Sequence, residues 1–217
     1  MNQLYDVSLK HPKRYIIYGP SQSGKTTFVE NLLINMKDLY GFNFDKIVYF
    51  SGKGFPNLDI INNINIIKLP SYDFSQEFLE YFDKKEQNLL IFDDSMHKLT
   101  NDLAISELFT NESNHRNISV IFIIQNLFPK SKYLRDISLN STYFILMTNP
   151  RDKSQVKRLA TQIDGHCDFI YNSYENSTKN NPFSYFLIDV DQNTFDEVRF
   201  RANIFPHETP HYTYIKI

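Results

Sequence analysis

Eight consecutive residues, Gly19-Pro20-Ser21-Gln22-Ser23-Gly24-Lys25-Thr26, restrict what this chain can fold into more than any other feature of it. They fit the spacing G-x-x-x-x-G-K-[ST]. They follow an apolar run, Arg14 to Tyr18 (RYIIY), and lead into a stretch whose apolar residues Phe28, Leu32, Leu33 and Met36 recur with a helical period. A strand, a glycine-rich turn and a helix in that order form a phosphate-binding loop. Glycine lets the backbone curl until successive N–H groups face a phosphate oxygen, and the helix N-terminus adds its dipole and unpaired donors. The nucleotide contacts expected from the motif are Gly19, Pro20, Ser21, Gln22, Ser23, Gly24, Lys25, Thr26 and Thr27. Lys25 would neutralise the β- and γ-phosphates of ATP, and the Thr26 hydroxyl would take one position on Mg2+.

The remaining pattern supplies a sheet for such a loop. Lys46–Phe50 (KIVYF), Ile64–Leu69, Asn88–Phe92 (NLLIF), Ile118–Ile124 (ISVIFII) and Tyr143–Met147 (YFILM) read as strands. Continuous apolar runs of this kind are typical of parallel strands covered on both faces. Helical pattern covers Thr26–Leu39, Tyr72–Asp83, about Asn101–Thr110 and about Asp152–Gln162. Strand and helix in alternation imply right-handed crossovers, hence a three-layer α/β P-loop NTPase fold with a mostly parallel central sheet. Tyr185–Val190 and Glu197–Ile204 flank Asp191-Gln192-Asn193-Thr194, which suggests a C-terminal antiparallel hairpin. With 217 residues there is room for one ATPase domain over 1–205, and 206–217 reads as an extended arm with Pro206 and Pro210.

Composition narrows the function classes. The formal net charge of -2 argues against a dedicated duplex-binding domain, so any nucleic-acid contact must come from local loops or an assembled ring. No apolar run approaches the roughly 20 residues of a membrane span, and the first residues lack a signal-peptide core. The single cysteine, Cys167, excludes an internal disulfide and reads as a small buried or half-buried side chain.

Three further features carry chemistry. Leu89-Leu90-Ile91-Phe92-Asp93-Asp94 places acids at the exposed end of a buried strand, where Asp93 could hold Mg2+ and Asp94 could orient or deprotonate a water. Adjacent aspartates can also merely start a loop or cap a helix. Gln125 ends the strand ISVIFII; if that strand lies beside the loop strand, its carboxyl end faces the γ-phosphate. Arg116 precedes the same strand and should lie at the opposite end of the sheet, where it could serve a neighbouring subunit as an arginine finger or stand as a solvated surface residue. Arg135 and Arg151 are weaker candidates for that role. His97 and His115 show no zinc-ligand spacing.

Together GPSQSGKTT, LLIFDD, LFTNESNHRNISVIFIIQNLF and RDISLNSTYFILMTNPRDKSQVKRLA resemble the genome-packaging ATPases of the FtsK/HerA superfamily, especially the small versions in large DNA viruses, virophages and Polinton-type elements. The likeness runs from about His11 to Ile163. It implies a RecA-like, additional-strand NTPase that forms a pentameric or hexameric ring and drives double-stranded DNA into a capsid, with a capsid or portal protein as partner. It also implies an intracellular setting, in host cytoplasm or a viral factory, or association with the virion. By the same resemblance Lys25 and Thr26 are the P-loop lysine and magnesium hydroxyl, Asp93 and Asp94 the magnesium-binding and water-activating acids, Gln125 the strand-end sensor and Arg116 the trans finger. Many relatives in the wider superfamily have Asp-Glu where this chain has Asp93-Asp94. Lys130, Lys132 and Arg135, which follow Gln125, are candidates to relay nucleotide state or touch DNA. Two other readings of the loop remain: a small nucleotide kinase, and a non-catalytic ATP-gated assembly module.

Overall fold

Strands built from runs such as NLLIF and ISVIFII have no polar face to give to water, so helices must cover both sides of the sheet they form. The computed structural model, which describes residues 5–52, 54–55, 66–71, 76–93, 101–165, 167–179 and 181–216, has that arrangement. Its strands are β1 (Arg14–Tyr18), β2 (Lys46–Ser51), β3 (Ile66–Leu69), β4 (Asn88–Asp93), β5 (Ile118–Ile124), β6 (Tyr143–Met147), β7 (Tyr185–Asp189), β8 (Phe200–Ala202) and β9 (Tyr212–Tyr214). Among the described residues they join in one sheet, ordered β3-β2-β4-β5-β1-β6-β7-β8-β9. β1 to β6 are parallel, and β7 to β9 are added antiparallel.

Alternate residues of each strand divide the core in two. On one face Tyr15, Ile17, Tyr49, Leu89, Ile91, Ile123 and Ile145 pack against Phe28, Val29, Leu32 and Leu33 of helix α1 (Lys25–Ile34) and against Met36, Leu39 and Tyr40 of α2 (Met36–Tyr40). On the other, Ile16, Tyr18, Leu90, Phe92, Phe122 and Phe144 meet Ile105, Leu108, Ile137, Val156, Leu159, Ile170 and Tyr174 from the following helical segments. The three-layer α/β reading with an antiparallel C-terminal hairpin is borne out.

Several boundaries move. The helix expected over Tyr72–Asp83 is described only as Gln76–Glu80, with 72–75 outside the described residues. The helix near Asn101–Thr110 starts at Leu103, capped by the Asp102 carboxylate accepting from Ala104 N–H at 2.9 Å. It then widens into a π turn over Leu108–Glu112. The second hairpin strand is shorter than Glu197–Ile204, because Arg199 draws the preceding loop inward: its guanidinium donates to the carbonyls of Asp189, Asp191 and Thr194 at 2.8, 3.0 and 2.8 Å. The tail expected as an extended arm contributes β9, which pairs with β8 and extends the sheet. Cys167 is half-buried at the start of the helix Cys167–Thr178.

His11 ties the N-terminal segment to the sheet. Its Nδ1 lies 2.7 Å from Ser119 Oγ, and its ring packs edge-on against Phe42 and Phe44. Burial is the main cause that lowers its pKa from 6.5 to about 4. Between those values the unfolded chain binds more protons than the folded one, so stability falls as pH drops from about 6.5 to about 4. Urea midpoints measured at pH 7 and pH 5 should therefore differ, and His11→Phe should remove part of that difference.

Candidate nucleotide-binding site

Register brings the loop to the carboxyl ends of three parallel strands. Tyr18, the last residue of β1, pairs with Ile124 of β5 and Leu146 of β6. The Gly19 N–H then donates to the Ile124 carbonyl at 3.2 Å, so the loop starts directly beside Gln125. The turn is sharp. Gln22 and Gly24 adopt left-handed φ values of 63° and 90°. A Cβ on Gly19 would lie 2.5 Å from Ser23 Oγ and 2.7 Å from Met147 Cβ, so the close approach needs glycine there.

The polar atoms inside the loop suit an anion. Ser23 Oγ is buried and has no hydrogen-bond partner among the described residues. An orphaned buried hydroxyl is uncommon, and a phosphate oxygen would satisfy it. Lys25 is only 9% exposed, and its ammonium donates to the carbonyls of Gly19 at 2.7 Å and Pro20 at 2.5 Å. That holds a full positive charge across the mouth of the turn, next to the N-terminus of α1. Pro20, Ser21 and Thr27 flank it on the accessible side.

The next two oxygens come together as their spacing implies. Strand alternation turns Leu89, Ile91 and Asp93 towards α1, and the Thr26 hydroxyl donates to Asp93 Oδ2 at 3.2 Å. Two hard oxygen donors at one point fit a magnesium ion. Asp93 has a partner that the sequence reading missed. Tyr49 sits opposite Ile91 in the β2–β4 register, and its hydroxyl donates to the same Oδ2 at 2.8 Å. Burial, and then the charge of Asp93, push the Tyr49 phenol well above its ordinary range, so it stays a donor. The signal was available: a tyrosine in the strand next to the acid, in phase with it. Tyr49→Phe should weaken magnesium-dependent binding of a nucleoside triphosphate about fivefold, the size of one lost hydrogen bond, without a change in circular dichroism.

A second network, also missed, braces the loop strand from the other face. Buried Asn149 donates from Nδ2 to the Tyr18 hydroxyl at 2.9 Å and from its N–H to the Tyr174 hydroxyl at 3.0 Å. Its Oδ1 accepts from the N–H groups of Arg151 and Asp152 at 3.1 and 3.0 Å. Gln155 extends the brace: it donates to Asp152 Oδ2 and accepts from Leu127 N–H, both at 2.7 Å, which ties down the segment after Gln125.

Other expected residues fall as follows. Gln125 is exposed at the end of β5, beside the loop. Asp94 and His97 lie outside the described residues. Arg116 lies at the far end of the sheet, two residues before β5 begins. Its guanidinium is engaged within the chain, donating to Glu112 Oε2 at 2.8 Å and to the Leu79 carbonyl at 2.9 Å. Arg135, Arg151, Lys130, Lys132 and His115 are exposed. No helix among the described residues is long and apolar enough to cross a membrane.

The sequence profile described as Poxvirus A32 protein matches residues 2–149, well over half of the chain. The chain belongs to the poxvirus A32 protein family. The resemblance drawn from the motifs is borne out, and the matched region contains the loop, Asp93 and Gln125. Among curated proteins a search found no match. Among solved structures this A32-family chain is similar to the genome packaging NTPase B204 from Sulfolobus turreted icosahedral virus 2 in complex with ATP-gammaS. Identity is 15% over 87% of this chain and 95% of that one, with a TM-score of 0.56. The sulfate complex of the same protein gives 13% identity, 86% and 95% coverage and a TM-score of 0.59. B204, the DNA-packaging ATPase from Sulfolobus turreted icosahedral virus, gives 15% identity, 84% and 94% coverage and a TM-score of 0.54. At these identities the likeness is one of fold.

Proposed function

We propose that this A32-family protein is a P-loop ATPase that translocates double-stranded DNA into a viral or virus-like capsid, working as a pentameric or hexameric ring with a capsid or portal protein. The observation that carries this reading is the meeting of Thr26 Oγ1 and Asp93 Oδ2 beside a loop that already holds Lys25 and a Ser23 hydroxyl without a partner among the described residues. B204, similar in fold, is described as a genome packaging NTPase and has been solved with ATP-gammaS, AMPPCP and AMP.

In this reading the backbone N–H groups of Gly19 to Thr26 grip the β-phosphate, and Lys25 leaves its carbonyl partners to neutralise the β- and γ-oxygens. Thr26 and Asp93 would hold Mg2+, which would supply positive charge to offset that of the phosphates. Tyr49 keeps Asp93 aimed at that point. Asp94 takes the proton of the attacking water, and Gln125 orients that water against the γ-phosphoryl group. An arginine from the next subunit completes the site. For Arg116 this requires release of Glu112 and the Leu79 carbonyl on assembly, whereas Arg135 and Arg151 are exposed already. Gln155 and Asn149 give a path from Gln125 and the loop strand to the Lys130–Arg135 and Arg151 segments, which carry the positive charge available for a DNA backbone.

Displacement of a third strand from duplex DNA tests the motor. ATP-dependent displacement by the wild type, lost in Asp94→Asn, is the expected result. Phosphoryl transfer from ATP to a nucleoside monophosphate with no displacement would favour a kinase instead.

A further inference from the structure

The two strand-end groups assigned to the magnesium and the attacking water lie on one side of the loop strand. Asp93 is at the end of β4, Gln125 follows β5, and both strands stand on the same side of β1 in the sheet order. A nucleotide gripped across the loop must therefore extend its base towards the opposite side, where β6 and β7 end and begin.

A phenylalanine waits there. Phe183 lies in the turn before β7 and is 60% exposed, although its Cδ1 is only 3.3 Å from where a Cβ on Gly24 would stand. Met147 Cε approaches the same point at 3.5 Å. The backbone of this turn is fixed. The Phe183 N–H donates to Asn181 Oδ1 at 2.9 Å, and Ser184 N–H donates to the Asn181 carbonyl at 3.1 Å. Thr148, just after β6, clamps the turn by donating to the Ser184 carbonyl from its N–H at 3.0 Å and its hydroxyl at 2.9 Å. A flat apolar ring is thus held at the rim of the loop with most of its surface in water, and its packing against Gly24 explains only a small part of it.

We propose that Phe183 is the base-stacking residue of the site and takes the purine of the bound nucleoside triphosphate. This rests on Gly19–Thr26 being the nucleotide site. Every base has a π-face, and stacking on an aromatic ring is tolerant of base identity. Phe183 has no polar atom, so it does not by itself tell adenine from guanine, and ATP and GTP should bind alike as far as this ring is concerned.

The test compares ATP-gammaS with inorganic tripolyphosphate, which has the phosphates without the base, by titration calorimetry on the full chain. Phe183→Ala should weaken ATP-gammaS about tenfold and leave tripolyphosphate unchanged. Phe183→Tyr, which keeps the ring, should bind both as the wild type does. Unchanged ATP-gammaS affinity in Phe183→Ala, or parallel loss of both ligands, would overturn the assignment while leaving the site itself standing. A wild-type protein that binds neither ligand would overturn the nucleotide site and this assignment together.

Discussion

Lys25→Ala should lower ATP turnover by roughly 10²–10³-fold, the loss typical when one preorganised charge-stabilising donor is removed. The side chain is almost entirely buried, and its ammonium already lies against the Gly19 and Pro20 carbonyls, at the mouth of the phosphate-binding turn. Its place is thus fixed before any phosphate arrives, and little reorganisation opposes the exchange of carbonyl for phosphate oxygen. The fold should survive. The side chain sits on the first turn of α1, outside the packed row Phe28, Val29, Leu32 and Leu33, and alanine is the best helix former. Phosphate release at saturating ATP, with a melting curve for each protein, checks both halves. A variant that unfolds, or one that turns over like the wild type, would contradict the assigned role.

Gly19→Ala should be nearly as damaging by a different route. The added methyl would meet Ser23 Oγ and Met147 Cβ well inside contact distance; the serine oxygen can turn about its one side-chain bond, but Met147 Cβ is held by its own backbone. Met147 is the last residue of β6, and Ser23 is buried inside the turn. Relief must come from the loop backbone, which also supplies the phosphate-facing N–H groups. Overpacking of this kind costs about 1–3 kcal/mol of stability, and the displaced donors should lower affinity for ATP-gammaS by at least about tenfold. Urea unfolding reads the first effect and titration the second. Unchanged affinity would show that the turn can be opened there without harm.

What could be read from the residues follows what physics makes periodic. Each of β1, β2, β4, β5 and β6 is buried on both faces, so its apolar run was unbroken and its place in a covered parallel sheet legible. The loop was legible because its glycines answer to a steric demand. The helix Cys167–Thr178 (CDFIYNSYENST) was not, since it is rich in Asn, Ser and Thr, which have weak helix propensity. Its contact with the sheet, through Ile170 and Tyr174, supplies what propensity lacks. The bounds of β8, expected over Glu197–Ile204, were too wide because the inward pull of Arg199 on three carbonyls is a tertiary event with no local pattern. In the site, motif residues were visible and their supports were not. Tyr49 reaches Asp93 only through the β2–β4 register, and Asn149 reaches Tyr18 only because β6 lies beside β1. Arg116 was placed correctly at the far end of the sheet; its bond to Glu112 spans one helical turn, but its bond to the Leu79 carbonyl depends on a contact between segments distant in sequence.

The loop, Asp93 and Gln125 together amount to a claim about hydrolysis, and phosphate release by the purified wild-type chain with Mg2+, with and without duplex DNA, tests it most directly. Sustained release that rises when DNA is added and vanishes in Lys25→Ala is the expected result. A wild-type rate no higher than that of Lys25→Ala, with DNA present, would contradict it.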